Sequence, residues 1–130
     1  MIRMIAVVFG LAAVVGVSAA AEDATPIFSK GGNFDEQSGR ALYAEVCQGC
    51  HMADGKGAIG AGRYPSLAGN PKLEAAGYPV TIVLQGRNGM PPLGKMMTDA
   101  QVAMVVNYVR THFGNAYTDT VKPEDVKGMR

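Results

Sequence analysis

Cys47-Gln48-Gly49-Cys50-His51 contains both cysteines of the chain, separated by two residues, with a histidine directly after the second. Thiols at this spacing can form a reactive disulfide, ligate zinc with further donors, or add across the vinyl groups of a haem and leave the adjacent imidazole beneath its iron. A structural disulfide would gain little from closing so small a loop. A thioredoxin-type pair belongs at a helix start within a βαβ pattern, whereas here a helical stretch precedes the motif and no strand pattern does. Zinc needs about four ligands, and the only other histidine is His112. What is left is the haem-attachment pattern, with Cys47 and Cys50 as thioether anchors, His51 as an iron ligand and one covalently attached haem c as cofactor.

The elements around the motif must hold it in a small domain. Residues 1–21 read as a secretory signal peptide: Arg3 gives a positive start, Met4 to Val17 is apolar, and Ala19 and Ala21 form the cleavage pair. The apolar run is only about 14 residues, short of the roughly 20 a spanning helix needs, so the mature chain is expected to have no membrane span and to be periplasmic. Without Arg3 the basic residues fall to 11 and equal the 11 acidic ones, so no charge imbalance points to nucleic acid. The remainder divides into a lead-in (22–34), one domain (35–115) and a polar C-terminal extension (116–130).

Asn33 or Asp35 is the expected cap of a first helix, with Leu42, Tyr43 and Val46 as its apolar face and Gly39 in its interior. Residues 52–69 read as a glycine-rich loop. Asn70-Pro71 then opens a short turn that Gly77 should end. Tyr78 to Gln85 fits either a strand or a short helix by periodicity. Residues 86–94 form a second loop, and Thr98-Asp-Ala-Gln101 is a capping box opening a helix with Val102, Val105, Val106 and Val109 at helical spacing up to Gly114. Met97 is placed to staple its start. Pro123 to Val126 suggests one last turn.

With these residues in place, the mature chain resembles a small class I, single-haem cytochrome c over nearly its whole length. Gly39, Tyr43, Cys47, Cys50 and His51 match that family's first helix and attachment site, and Tyr108 matches the aromatic that crosses the glycine. The resemblance implies an all-α fold, three to five short helices and Gly/Pro-rich loops around the haem, and favours helix for 78–85. It also implies that the Pro65 carbonyl orients the His51 ring, that Leu67 packs on the haem face, and that Gly89-Met90-Pro91-Pro92 delivers Met90 as the sixth ligand. Met96, Met97 and His112 are the alternatives to Met90.

Two axial ligands would close the iron to substrates, so the resemblance implies an electron carrier of positive potential rather than an enzyme. Its partners would be redox proteins, a dehydrogenase as donor and a cytochrome or oxidase as acceptor. The stretches 63–71, 107–110 and 113–115 are similar to cytochromes that serve periplasmic flavin- or quinone-dependent dehydrogenases, including the p-cresol methylhydroxylase type. The alternative is a ligand-binding or sensor haem protein with an open iron site. Lys56, Arg63, Lys72, Arg87 and Lys95 fall in segments expected around the haem, where a basic rim would steer an acidic partner.

Overall fold

Ser38, rather than Asn33 or Asp35, caps the first helical rod of the computed structural model, which describes residues 33–60 and 62–130. Its hydroxyl accepts from the Ala41 N–H at 3.2 Å. Residues 34–36 are withheld from helix because the Gln101 side chain donates to the carbonyls of Phe34 (2.7 Å) and Glu36 (3.2 Å). The proposed signal peptide and most of the lead-in lie outside the described residues.

The rod runs without a break over 39–51. It comprises α1 (Gly39–Leu42), a wide π-helical turn (Tyr43–Cys47) and α2 (Gln48–His51). Single π turns inside helices are frequent at functional sites, and this one ends on the first motif cysteine. Gly39 is the first residue of the rod, not an interior one, so it escapes most of the helix-interior cost of glycine. Its missing side chain matters for another reason. A Cβ there would overlap the Met104 carbonyl and stand 2.7 Å from the Tyr108 Cβ. The rod therefore crosses α4 (Asp99–Thr111) at backbone contact distance, and the Tyr43 and Tyr108 rings meet beside the crossing at 5.6 Å.

The capping box of α4 forms as expected: Thr98 Oγ1 accepts from the Gln101 N–H (3.2 Å) and Gln101 Oε1 accepts from the Thr98 N–H (2.9 Å). Val102, Val105, Val106 and Val109 are buried along one side of it. The helix ends at Thr111, before Gly114, because His112 is already extended (φ −122°, ψ 177°), and Phe113 follows it at a positive φ of 57°.

Between the rod and α4, Asn70 caps a single 3₁₀ turn, Pro71–Leu73, by accepting from the Lys72 N–H at 3.0 Å. Gly77 does not end that turn; it opens α3 (Gly77–Gln85). The ambiguous 78–85 stretch is thus helical, burying Val80 and Leu84 four residues apart on one face. Pro79 falls in the first turn, where its absent N–H has no helical partner to lose.

The last segment turns back onto the domain. α5 (Pro123–Lys127) buries Val126 completely, and Val121 is buried just before it. Asn107 of α4 pairs with Val121 through both amide atoms, at 2.8 and 2.9 Å. Arg110, wholly buried, donates to the carbonyls of Leu73 (2.8 Å), Glu74 (3.0 Å) and Asp119, and to the Asp119 carboxylate. Among the described residues the fold is all-helical, with two isolated bridges, Ile59 with Arg63 and Arg87 with Met90, and no helix long and apolar enough to cross a membrane.

This anchor carries a pH signature. The hydrogen bond from Arg110 holds the Asp119 carboxyl below the usual carboxylate range. A carboxyl lowered in the folded state contributes stability above its unfolded value, near 3.9, and loses it as pH falls through the folded value. The tail amides around Val121 should therefore stay protected from hydrogen exchange at pH 5 and lose protection only below about pH 4, and Asp119→Asn should abolish that acid limb. An unchanged limb in Asp119→Asn would show that another group holds the tail.

Candidate functional site

A cavity partly open to solvent lies between the rod, the Pro65 loop, α3 and α4. Cys47, His51, Pro65, Leu67 and Met90 all line it, together with apolar residues that sequence reasoning did not assign to a site, chiefly Leu73, Ile82, Val83 and Val106. For α4 the signal was present as valines at helical spacing, which mark a buried face without saying what it faces. Leu73 and Ile82 carried no such signal.

The rod sets Cys47 and His51 four residues apart, one helical turn, so both reach the cavity. Cys50 is exposed, and neither cysteine is in a disulfide. Burial, with a smaller contribution from Cys50, pushes the Cys47 thiol up to about 12. No group of three or more His, Cys, Asp or Glu that could hold a metal ion occurs among the described residues.

His51 is 8% exposed and its Nδ1 lies 3.0 Å from the Pro65 carbonyl oxygen. A carbonyl can only accept, so Nδ1 carries the proton and Nε2 keeps its lone pair, the tautomer a metal needs. The loop that presents this carbonyl is itself pinned. The N–H of Tyr64 donates to Ala58 O (3.0 Å), that of Leu67 to Gly55 O (2.7 Å) and that of Gly57 to His51 O (3.0 Å). At Gly57, with φ 79°, a side chain would stand 3.0 Å from the Pro65 carbonyl oxygen itself. Burial also pushes the Tyr43 hydroxyl up to about 12, so it remains a donor to Met52 O (2.7 Å) where the chain leaves the rod.

Met90 closes a tight turn in which Arg87 and Met90 exchange both backbone hydrogen bonds at 3.0 Å. Gly86, at φ 71°, precedes the turn, and a side chain there would lie 2.7 Å from the Pro92 nitrogen. Met96 and Met97 line a different pocket beside Phe34 and Thr98. His112 lines neither; it stacks on Tyr108 at 4.1 Å with Nδ1 on the Tyr108 carbonyl (2.9 Å). One imidazole nitrogen and one thioether thus share an apolar cavity with a half-buried thiol in its wall. These donors and this lining fit a haem attached through the motif.

Of the basic residues, Lys56 is paired with Asp54 at 3.1 Å. Arg63, Lys72 and Arg87 are exposed without an ion pair among the described residues, each within two residues of a cavity-lining residue or hydrogen-bonded to one. Lys95 belongs instead to the pocket of Met96 and Met97.

Residues 34–109 match the protein family described as cytochrome c oxidase, cbb3-type, subunit III. The fructose dehydrogenase cytochrome subunit of Gluconobacter japonicus is 37% identical over 107 residues, covering 71% of this chain and 22% of that protein. The gluconate 2-dehydrogenase cytochrome c subunit of Pantoea cypripedii is 35% identical, covering 74% of this chain and 24% of that protein. This chain therefore spans about a quarter of the length of these dehydrogenase subunits. Cytochrome c-552 of Thermus thermophilus is 30% identical over 115 residues, covering 73% of this chain and 86% of that protein.

Proposed function

The chain belongs to the cytochrome c family, as an electron carrier homologous to dehydrogenase cytochrome subunits, and on that premise we propose that it passes single electrons from a periplasmic dehydrogenase to a downstream cytochrome or oxidase. The family and the motif imply a covalent haem c. In this reading Cys47 and Cys50 would hold it through thioethers, and His51 Nε2 and Met90 Sδ would ligate its iron. When bound, the haem supplies a reversible Fe(III)/Fe(II) couple. The protein's residues orient the imidazole through Pro65, exclude water with Leu67, Leu73 and the α3 and α4 walls, and leave no vacant ligand position.

The observation that carries this reading is the convergence of His51 and Met90 on one apolar cavity. The pattern of residues 1–21 supports export. The relatives favour a donor that oxidises a sugar, a sugar acid or an alcohol over one of the p-cresol methylhydroxylase type.

The haem-loaded protein should be reduced by such a dehydrogenase turning over its substrate, and its ferrous form should not bind carbon monoxide. Ready carbon monoxide binding, without the weak long-wavelength band of a sulfur-to-iron(III) charge transfer, would favour the sensor reading instead. If Arg63, Lys72 and Arg87 steer the donor, the bimolecular reduction rate should fall several-fold between about 0.01 and 0.15 M salt. A rate indifferent to salt would remove the steering role.

A further inference from the structure

The loop that ends in Met90 continues through Pro91 and Pro92 to a turn over residues 93–97, and that turn is held from two sides. On its N–H side the backbone of α3 accepts: Leu93 N–H donates to Val83 O at 2.9 Å and Gly94 N–H to Leu84 O at 3.3 Å. On its carbonyl side Phe34 N–H donates to Met96 O at 3.4 Å, and Arg130 holds the other long-range contacts. Arg130 donates through Nη1 to Gly94 O, through Nη2 to Met97 O at 2.7 Å, and through Nε to the Asp99 carboxylate at 2.5 Å. The guanidinium fork reaches three acceptors that diverge in space, which the single ammonium of lysine cannot match.

Arg130 is brought there by the tail described above. Val121 and Val126 bury the tail against the domain, and the Met129 side chain ends within 3.6 Å of where a side chain at Gly77 would begin. The tail thereby ties two walls of the cavity. Arg110 grips the carbonyls of Leu73 and Glu74 and holds Asp119, and Arg130 grips the segment four residues beyond Met90.

We propose that Arg130 is a positioning residue for Met90, fixing the far end of its loop and so setting how readily the thioether yields its place on a bound haem iron. The inference rests on Met90 being the sixth ligand. A thioether is a weak ligand held by its loop, and a loop held less firmly at its far end has more conformations in which the sulfur is withdrawn.

Imidazole, which competes with the thioether for the oxidised iron, is the probe. Charge-assisted hydrogen bonds to backbone carbonyls suggest that haem-loaded Arg130→Ala binds imidazole about tenfold more tightly than the unaltered protein, with Arg130→Lys in between. Asp119→Asn loosens the tail at its other anchor but leaves the Arg130 contacts and buried Val126 in place, so it should raise imidazole affinity much less than Arg130→Ala. A second readout needs no ligand: the Met90 N–H, bonded to Arg87 O, should exchange with solvent faster in Arg130→Ala. Unchanged imidazole affinity in both Arg130 variants overturns the proposal. So does an equal effect of Asp119→Asn, which would mark a general loosening of the tail. If the unaltered protein lacks the sulfur-to-iron charge-transfer band, the Met90 assignment itself fails and the positioning role falls with it.

Discussion

Haem-loaded Met90→Ala should lose the sulfur-to-iron charge-transfer band, bind carbon monoxide in its ferrous form, and fall in reduction potential by roughly 0.1–0.3 V. A thioether favours Fe(II), so its removal stabilises the oxidised state and opens a coordination position. Among the described residues no other methionine, and no histidine besides His51, lines this cavity. Met96 and Met97 line a separate pocket, and His112 is engaged with the Tyr108 carbonyl. The fold should survive, because Met90 is only partly buried and the turn that carries it is closed by backbone hydrogen bonds with Arg87. Absorption spectroscopy and redox titration check both parts. Retention of the band in Met90→Ala would place the ligand elsewhere and undo the assignment.

Gly39→Ala should destabilise the protein by about 2–3 kcal/mol, lowering the thermal midpoint by about 10 °C or more. Helix propensity alone predicts the opposite sign, since alanine is favoured over glycine by up to about 1 kcal/mol in a helix. The two arguments differ in what they count. Propensity counts the backbone entropy of one residue, whereas the crossing counts a Cβ forced against the Met104 carbonyl and 2.7 Å from the Tyr108 Cβ. These are backbone and near-backbone atoms that cannot step aside without moving α4. Calorimetry or thermal circular dichroism of the haem-loaded variant gives the sign directly. A stabilised Gly39→Ala would mean that the rod and α4 can separate at little cost.

The buried Arg110 illustrates what the sequence concealed. Read alone, it was one more cation in a helix that also carried polar positions, and residues 116–130 looked like a polar extension. In the fold its guanidinium satisfies carbonyls from 36 and 37 residues earlier in the chain and a carboxylate nine residues later. Arg130 repeats the pattern over separations of 31 to 36 residues. A charge whose partners are that distant has no local signature. The first cap was misplaced for the same reason, because Gln101 takes the carbonyls of Phe34 and Glu36 from across the domain.

What the sequence determined by itself is the chemistry and structure that act within one helical turn. The motif of Cys47, Cys50 and His51 fixes the kind of cofactor because thiols and imidazole must lie that close to serve one haem. The Thr98–Gln101 box fixes the start of α4 because both of its hydrogen bonds join residues three apart. Tertiary structure decided which methionine lines the cavity of His51, that residues 78–85 coil rather than extend, and where the last fifteen residues go. Those outcomes depend on which surfaces meet across the core, and the free energy of that meeting is shared among residues too far apart in the chain for any local pattern to record.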